Sequence, residues 1–525
     1  MNIISVIYLA FVAAVVAGYY ITPRRLRWVT LLLASAVYYL VYDVKLSVLL
    51  LLSSLSIYCG GLLIQRREGK YLASLDNAEL DRAAKKALKK RNSRAKTRIA
   101  VLVALFNIAI WVLFKFTGIL VTMFNRLFST DYGLISLGIP LGISFYTLQA
   151  VSYVVDVSRG KCEAQKNFFK LALWLGFFPQ MLQGPICRYS ETAEQLFQPH
   201  DFDYRSFKFG IQSMIWGYFK KLVVANRAST ISATIFGNSG KYEGVVFLIG
   251  ALAYTIQIYA DFSGGMDIIY GVSEMVGIHM PKNFERPYFS RSVAEYWRRW
   301  HITLGGWFRD YVFYPLSISK AAQWLGKHCR KVFGAKLGKM IPTYLAMVIV
   351  WTLNGIWHGA GKQFAVYGFY QGILIVLGMQ TETLNQWLFD KLRVNTDCFS
   401  WRLWQRLRTF GLMVWGRILF KASGLREAFR IWGSVITVRN PWVLTDGTVF
   451  TFGLDAWEMF VLFLGILVMF SVSLMQEKGI HLREAIERQN LVFRWALYIL
   501  AIFAVILLGV YGTKYNAADF IYAGF

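Results

Sequence analysis

TYLAMVIVWTLNGIWHGAGKQF, Thr343 to Phe364, begins as an aliphatic run and ends on a histidine set among glycines. The first half is chemistry for lipid, and an ionisable group at the edge of such a run is costly in hydrocarbon. The rest of the 525-residue chain has the same character. Hydrophobic residues make up 56% of it and aromatic ones 17%, with a mean hydropathy of +0.42. A soluble domain cannot hide that much apolar surface, so the expected fold class is an all-α polytopic integral membrane protein. Apolar segments recur near residues 4–22, 28–42, 46–64, 99–122, 134–155, 167–184, 209–225, 245–273, 341–357, 364–379, 407–420, 457–474 and 491–512. Each offers roughly 15–25 residues, close to the ~20 needed to cross the hydrocarbon core. About eleven to thirteen transmembrane or re-entrant helices are expected. The first segment lacks the basic start and small-residue cleavage site of a signal peptide and reads as a retained span.

The net charge of +27 would suggest nucleic acid in a soluble protein. In a membrane protein it suits anionic headgroups and cytosolic loops, so lipid and no nucleic acid is the expected partner. Residues 66–98 hold twelve Lys/Arg against four Asp/Glu and read as a basic, solvated cytosolic helix. Counting spans from that loop places both termini outside. Five scattered cysteines without a C-x-x-C pair argue against a disulfide framework or a thiolate metal site. Six histidines without i,i+3 or i,i+4 pairing give no metal ligand set. No internal repeat of the transporter kind is visible.

Common catalytic motifs are absent, including G-x-S-x-G and H-E-x-x-H. The stretch GAGKQ fails as a phosphate loop, because Ile356 fills the first glycine position and Gln363 replaces Ser/Thr. Polar groups in or beside apolar segments remain. If the helix continues, Trp351, Asn354 or Gly355, and His358 share one face, and Gly355, Gly359 and Gly361 let another helix or a thin ligand approach. His358 is either a general base for a hydroxyl or a buried histidine satisfied by a neighbouring carbonyl. His301, in YWRRWHITLGGW, has the same two readings, the plainer being an interfacial histidine among headgroups. Arg298, Arg299, Lys282 and Arg286 could bind phosphate or snorkel to lipid. Asp261 and Asp267 lie in an apolar surround and are expected to pair with arginines of 286–309. The prolines and glycine of FFPQMLQGPICRY (177–189) should break a helix, and polar residues of 137–157 such as Ser144, Gln149 and Tyr153 could line a cavity.

PKNFERPYFSRSVAEYWRRWHITLGGWFRDYVFYPL followed by NGIWHGAG resembles the membrane-bound O-acyltransferases, in the branch of alginate, peptidoglycan and cellulose acetylation proteins. PLGISFYTLQAVSYVVDV, FFPQMLQGPICR and YADFSGGMDI resemble segments of the same branch and occur in the same order. The resemblance covers residues 135–375 and has the D-alanyl transferase of teichoic-acid modification as a cousin. It implies a ring of helices around a thin central tunnel, with acetyl-CoA entering from the cytosol as acyl donor and no permanently bound cofactor or metal. It further implies His358 as the catalytic histidine and His301 as the second signature position. Asn354, Trp357, Trp300, Arg298, Arg299 and Lys282 are the expected donor-binding or tunnel-lining residues. The C-terminal DFIYAGF resembles the ends of that branch, which makes Tyr522 a candidate acyl relay; interfacial anchoring is the plainer reading.

The expected division is 1–65 as N-terminal spans, 66–98 as basic loop, 99–380 as catalytic core, 381–512 as C-terminal spans and 513–525 as an extracytoplasmic aromatic tail. The expected activity is transfer of acetyl across a bacterial inner membrane to an extracytoplasmic polysaccharide, directly or through a partner transferase. Transfer of D-alanyl or another acyl group from a carrier-protein thioester is the alternative, and a non-enzymatic transporter the second.

Overall fold

The structure, a computed structural model, describes residues 3–76, 81–133, 138–181 and 183–511. It is helical, with one isolated antiparallel bridge, Phe284 to Trp300, and no strand among the described residues. Backbone groups satisfied within helices are what an apolar surround demands. The chain divides into two compact units. Of the described residues, one unit holds the chain to Met214 with Ile269–Pro281, and the other holds Ile215–Ile268 with residues 282–511.

The first unit holds α1 (Val6–Ile21), α2 (Arg27–Tyr42), α3 (Val44–Asp76), α4 (Arg82–Lys115), α5 (Thr117–Phe128), α6 (Ile143–Arg159), α7 (Phe168–Gly176) and α8 (Tyr189–Phe197). The described parts of the basic stretch, 66–76 and 82–98, end α3 and open α4, which run antiparallel. Asn92 and Lys96 meet Glu68, Asn107 meets Ser56, and Val103 fills the place of a side chain at Gly60. Asp81 caps α4 by accepting from the Ala84 N–H at 2.7 Å. Helix α6 is buried along nearly its whole length, including Ser144, Thr147, Gln149, Ser152 and Tyr153. As the prolines require, α7 stops at Gly176 and the chain turns through a single 3₁₀ turn, Phe178–Gln180.

Helix α9 (Tyr204–Tyr218) leads into the second unit, which takes α10 (Asn226–Gly237) and α11 (Val245–Met275) as far as Ile268. It continues with α12 (Val293–Arg299), α13 (Ile302–Phe308), α14 (Tyr314–Ser317), α15 (Lys320–His358) and α16 (Lys362–Lys391). Helices α17 (Phe399–Lys421), α18 (Leu425–Thr437), α19 (Ala456–Glu477), α20 (Leu482–Glu487) and α21 (Leu491–Leu508) complete it. Among the described residues seven helices are long and apolar enough to span a bilayer: α3, α4, α11, Leu337–His358 of α15, Lys362–Glu382 of α16, α19 and α21. The other expected segments form shorter helices, except 407–420, which lies in the long but less apolar α17. None of the most apolar window of α21 is fully buried, and most of its apolar side chains are left exposed, as lipid allows and water does not.

Buried Asp261 and half-buried Asp267 do form ion pairs, and the partners the structure gives them are lysines, where arginines of 286–309 were expected. Lys221 meets Asp261, and Lys220 meets Asp267 at 2.5 Å and donates to Ser263. The reason lies in two glycines. A Cβ at Gly217 would stand 2.5 Å from the Gly264 carbonyl oxygen, so two backbones cross in contact there. The π-helical turn Phe219–Ala225 that follows then carries both lysines alongside α11. The arginines take a different partner, with Arg286 and Arg299 converging on Glu477 at 2.7 and 3.0 Å.

Candidate active site

Helix α15 is two helices joined at Gly334, whose φ of 78° is open to glycine and strained for other residues. A Cβ on Gly326 would stand 3.4 Å from Pro342, sixteen residues on, so the first half folds back along the second. The second half runs without a break to His358 and ends there. Asn354 and His358 are therefore one turn apart on one face, and both are buried. Helix α16 returns along α15 over a glycine seam. A Cβ at Gly355 would stand 2.1 Å from the Phe364 carbonyl oxygen, and one at Gly368 2.1 Å from that of Trp351. The space that the glycines open thus belongs to α16.

His358 is 4% exposed. Its ring lies 4.9 Å from that of Trp357 and 5.3 Å from that of Phe420 on α17. It is the last residue of its helix.

His301 is 2% exposed and precedes α13 with a left-handed backbone, φ 47°, ψ 51°. Such a conformation costs a β-carbon residue about 1–2 kcal/mol. Asn283 holds it in place. The Asn283 side-chain oxygen accepts from the Thr303 N–H at 3.1 Å and the Thr303 hydroxyl at 2.9 Å, and the Asn283 carbonyl accepts from the Ile302 N–H at 3.0 Å. His301 Nδ1 lies 3.2 Å from the same side-chain oxygen. A backbone N–H only donates, so that atom is oxygen and His301 Nδ1 carries the proton. In the neutral ring Nε2 then bears the lone pair. Burial pushes His301 below its ordinary range, to about 3, which keeps the ring neutral.

Trp357 links the two histidines, its ring 6.0 Å from that of His301. Phe262 closes the other side of His301 at 4.8 Å. Trp300 is buried and stacks on Tyr296 at 5.6 Å. The Trp297 indole N–H donates to Gln371 on α16 at 3.1 Å, tying α12 to the histidine hairpin. Of the expected residues, His358, His301, Asn354, Trp357 and Trp300 are thus all buried in one unit. Arg299 is engaged by Glu295 and Glu477, at 2.8 and 3.0 Å. Arg298 and Lys282 are exposed. Tyr522 lies outside the described residues.

Sequence reasoning missed Asn283, Phe420 and Arg417. Arg417 sits on α17 at 2% exposure, and its two terminal nitrogens donate to the hydroxyls of Tyr367 and Tyr296, each at 2.9 Å. A charge inside the apolar run 407–420 was the signal that could have found it. Among the described residues no group of three or more His, Cys, Asp or Glu is placed to hold a metal ion.

No protein-family model matches the chain. It is 31% identical over 309 residues to the probable alginate O-acetylase AlgI of Pseudomonas syringae pv. tomato, covering 59% of this chain and 54% of that protein. It is 27% identical over 352 residues to the peptidoglycan O-acetyltransferase of Helicobacter pylori, covering 62% of each. It is 27% identical over 241 residues to the teichoic acid D-alanyltransferase of Bacillus subtilis, covering 45% of this chain and 58% of that one. The chain thus spans a little over half the length of these curated relatives.

Proposed function

We propose that this chain, which belongs to the membrane-bound O-acyltransferase family, moves an acetyl group from cytosolic acetyl-CoA to a hydroxyl of an extracytoplasmic polysaccharide. It does so directly or through a partner transferase in a bacterial inner membrane. The observation that supports this reading most is the buried pair His358 and His301, bridged by Trp357 at the end of a membrane-length helix.

His358 takes the proton from the acceptor hydroxyl. The oxygen attacks the thioester carbon, the C–O bond forms, and the carbonyl electrons move onto oxygen. Collapse breaks the C–S bond, and the thiolate, whose conjugate thiol has a pKa of ~8.5, takes the proton back from His358. His301, fixed as the Nδ1–H tautomer by Asn283, orients the reacting groups through Nε2, while the aromatic walls exclude water. Asn354, Trp357 and Trp300 line the donor path, and Lys282, Arg298 and Arg299 are its charged approach. Tyr522 is the hydroxyl we assign to an acyl relay on the outer side.

The test is acetyl transfer by purified protein in proteoliposomes loaded with acetyl-CoA. A His358→Ala variant that folds and transfers at the wild-type rate would refute the mechanism. Retained acetylation in Tyr522→Phe would remove the relay alone. D-alanyl transfer from a carrier thioester is the second reading, favoured by the similarity to the Bacillus subtilis D-alanyltransferase.

A further inference from the structure

Arg417 is a fully charged side chain with no carboxylate within ion-pairing distance among the described residues. Its terminal nitrogens meet only the neutral hydroxyls of Tyr367 and Tyr296, and Nε has no hydrogen-bond partner. The guanidinium carbon lies 5.1 Å from the Trp300 ring centre and 5.9 Å from that of Phe420. Aromatic faces and hydroxyls offset part of the desolvation of a buried cation, which without a counter-ion runs to several kcal/mol. So expensive a group among the rings around the histidines is a functional candidate. Trp300 is the residue before His301, and the Phe420 ring is the one that packs on His358. The positive charge therefore stands one ring away from His358 and against the residue that precedes His301.

We propose that Arg417 sets the acyl specificity of the site: its fixed positive charge admits an uncharged acyl group such as acetyl and repels one that carries an ammonium, such as D-alanyl. The inference rests on the acyltransferase reading and names the substrate class within it. The two donors undergo the same bond changes, with C–O formed, C–S broken and the hydroxyl proton passed through His358 to the thiolate. They differ at one place. A D-alanyl thioester carries a protonated amine one carbon from the carbonyl under attack. Aromatic and tyrosine walls would ordinarily welcome an ammonium. Here Arg417 already fills the cage made by Tyr296, Tyr367, Trp300 and Phe420, and adds a like charge. Two unit charges ~10 Å apart in an effective dielectric of ~20 repel by enough to change a rate on the order of tenfold.

The experiment uses full-length protein in proteoliposomes with three thioesters of coenzyme A: acetyl, propionyl and D-alanyl. Propionyl matches D-alanyl closely in size without its charge. Glycerol is the hydroxyl acceptor, and turnover is the thiol released above that of a His358→Ala control. We expect wild-type kcat/KM for propionyl to exceed that for D-alanyl by at least about tenfold at pH 6.5. The ratio should narrow as pH rises past ~8, where an α-amine loses its proton. Arg417→Met should bring the ratio close to one, and Arg417→Lys should keep it. A wild-type ratio near one, or a ratio unmoved by pH, overturns the proposal and leaves the acyltransferase reading standing. The wild-type arms decide this even if Arg417→Met does not fold. Turnover of none of the three donors above the control overturns both.

Discussion

The lone pair on His301 Nε2 depends on a single oxygen. Asn283 is buried and its side-chain oxygen takes bonds from the Thr303 amide and hydroxyl while facing His301 Nδ1. Asn283→Ala should therefore cost about 1–3 kcal/mol in a denaturation midpoint, since buried donors lose their acceptor. Transfer activity should fall by more than about tenfold. Unchanged activity would show that the tautomer does not matter. The same burial makes a pH prediction. His301 has its folded-state pKa lowered to about 3, below the unfolded value of ~6.5. The unfolded chain thus binds the proton first. The stability tied to His301 is intact above pH ~6.5 and is lost as pH falls from there toward 3, which thermal melts of wild type and His301→Gln should separate. His358 and His301 were legible as residues, because a histidine beside apolar runs is conspicuous. Asn283 was not, since an asparagine in a proline-rich loop looks like turn chemistry until its oxygen is seen to face a buried ring.

Helix α15 shows what periodicity carries and what it does not. The aliphatic run predicted a helix through His358, and the helix is there. The fold-back at Gly334 was not foreseen, because one glycine among lysines gives no sign that the chain reverses; only Gly326 against Pro342 shows it. The glycines near His358 were read as room for a helix or a ligand, and at Gly355 the occupant is α16. Gly368→Leu should break that seam. The added side chain meets the Trp351 carbonyl oxygen, so overpacking should cost about 1–3 kcal/mol and displace His358. Transfer should fall together with the melting temperature, whereas Gly378→Ala on the same helix, where a Cβ meets nothing within 4 Å, should change neither. The expected arginine partners for Asp261 and Asp267 failed at this scale too. Which basic residues reach α11 is decided by the Gly217–Gly264 crossing, a contact far apart in sequence.

Across the molecule, composition was enough to announce a helical membrane protein, and seven described helices have spanning length and hydropathy. The division into two units was not legible, because it cuts α9 and α11 and so leaves no linker composition behind. Within the second unit Glu477, at the end of α19, draws in Arg286 and Arg299 from the segment that carries His301. Glu477→Gln should loosen that segment by about 1–3 kcal/mol and lower transfer without removing it, a partial loss that distinguishes support from chemistry. The central claim is that His358 is the base of an acyl transfer. It is tested most directly by rapid mixing of wild-type and His358→Gln proteoliposomes with acetyl-CoA and an acceptor hydroxyl, following free thiol. The account predicts that the variant keeps its fold and donor affinity and loses at least about a hundredfold in the rate of thiol release. An unchanged rate in a folded variant contradicts it.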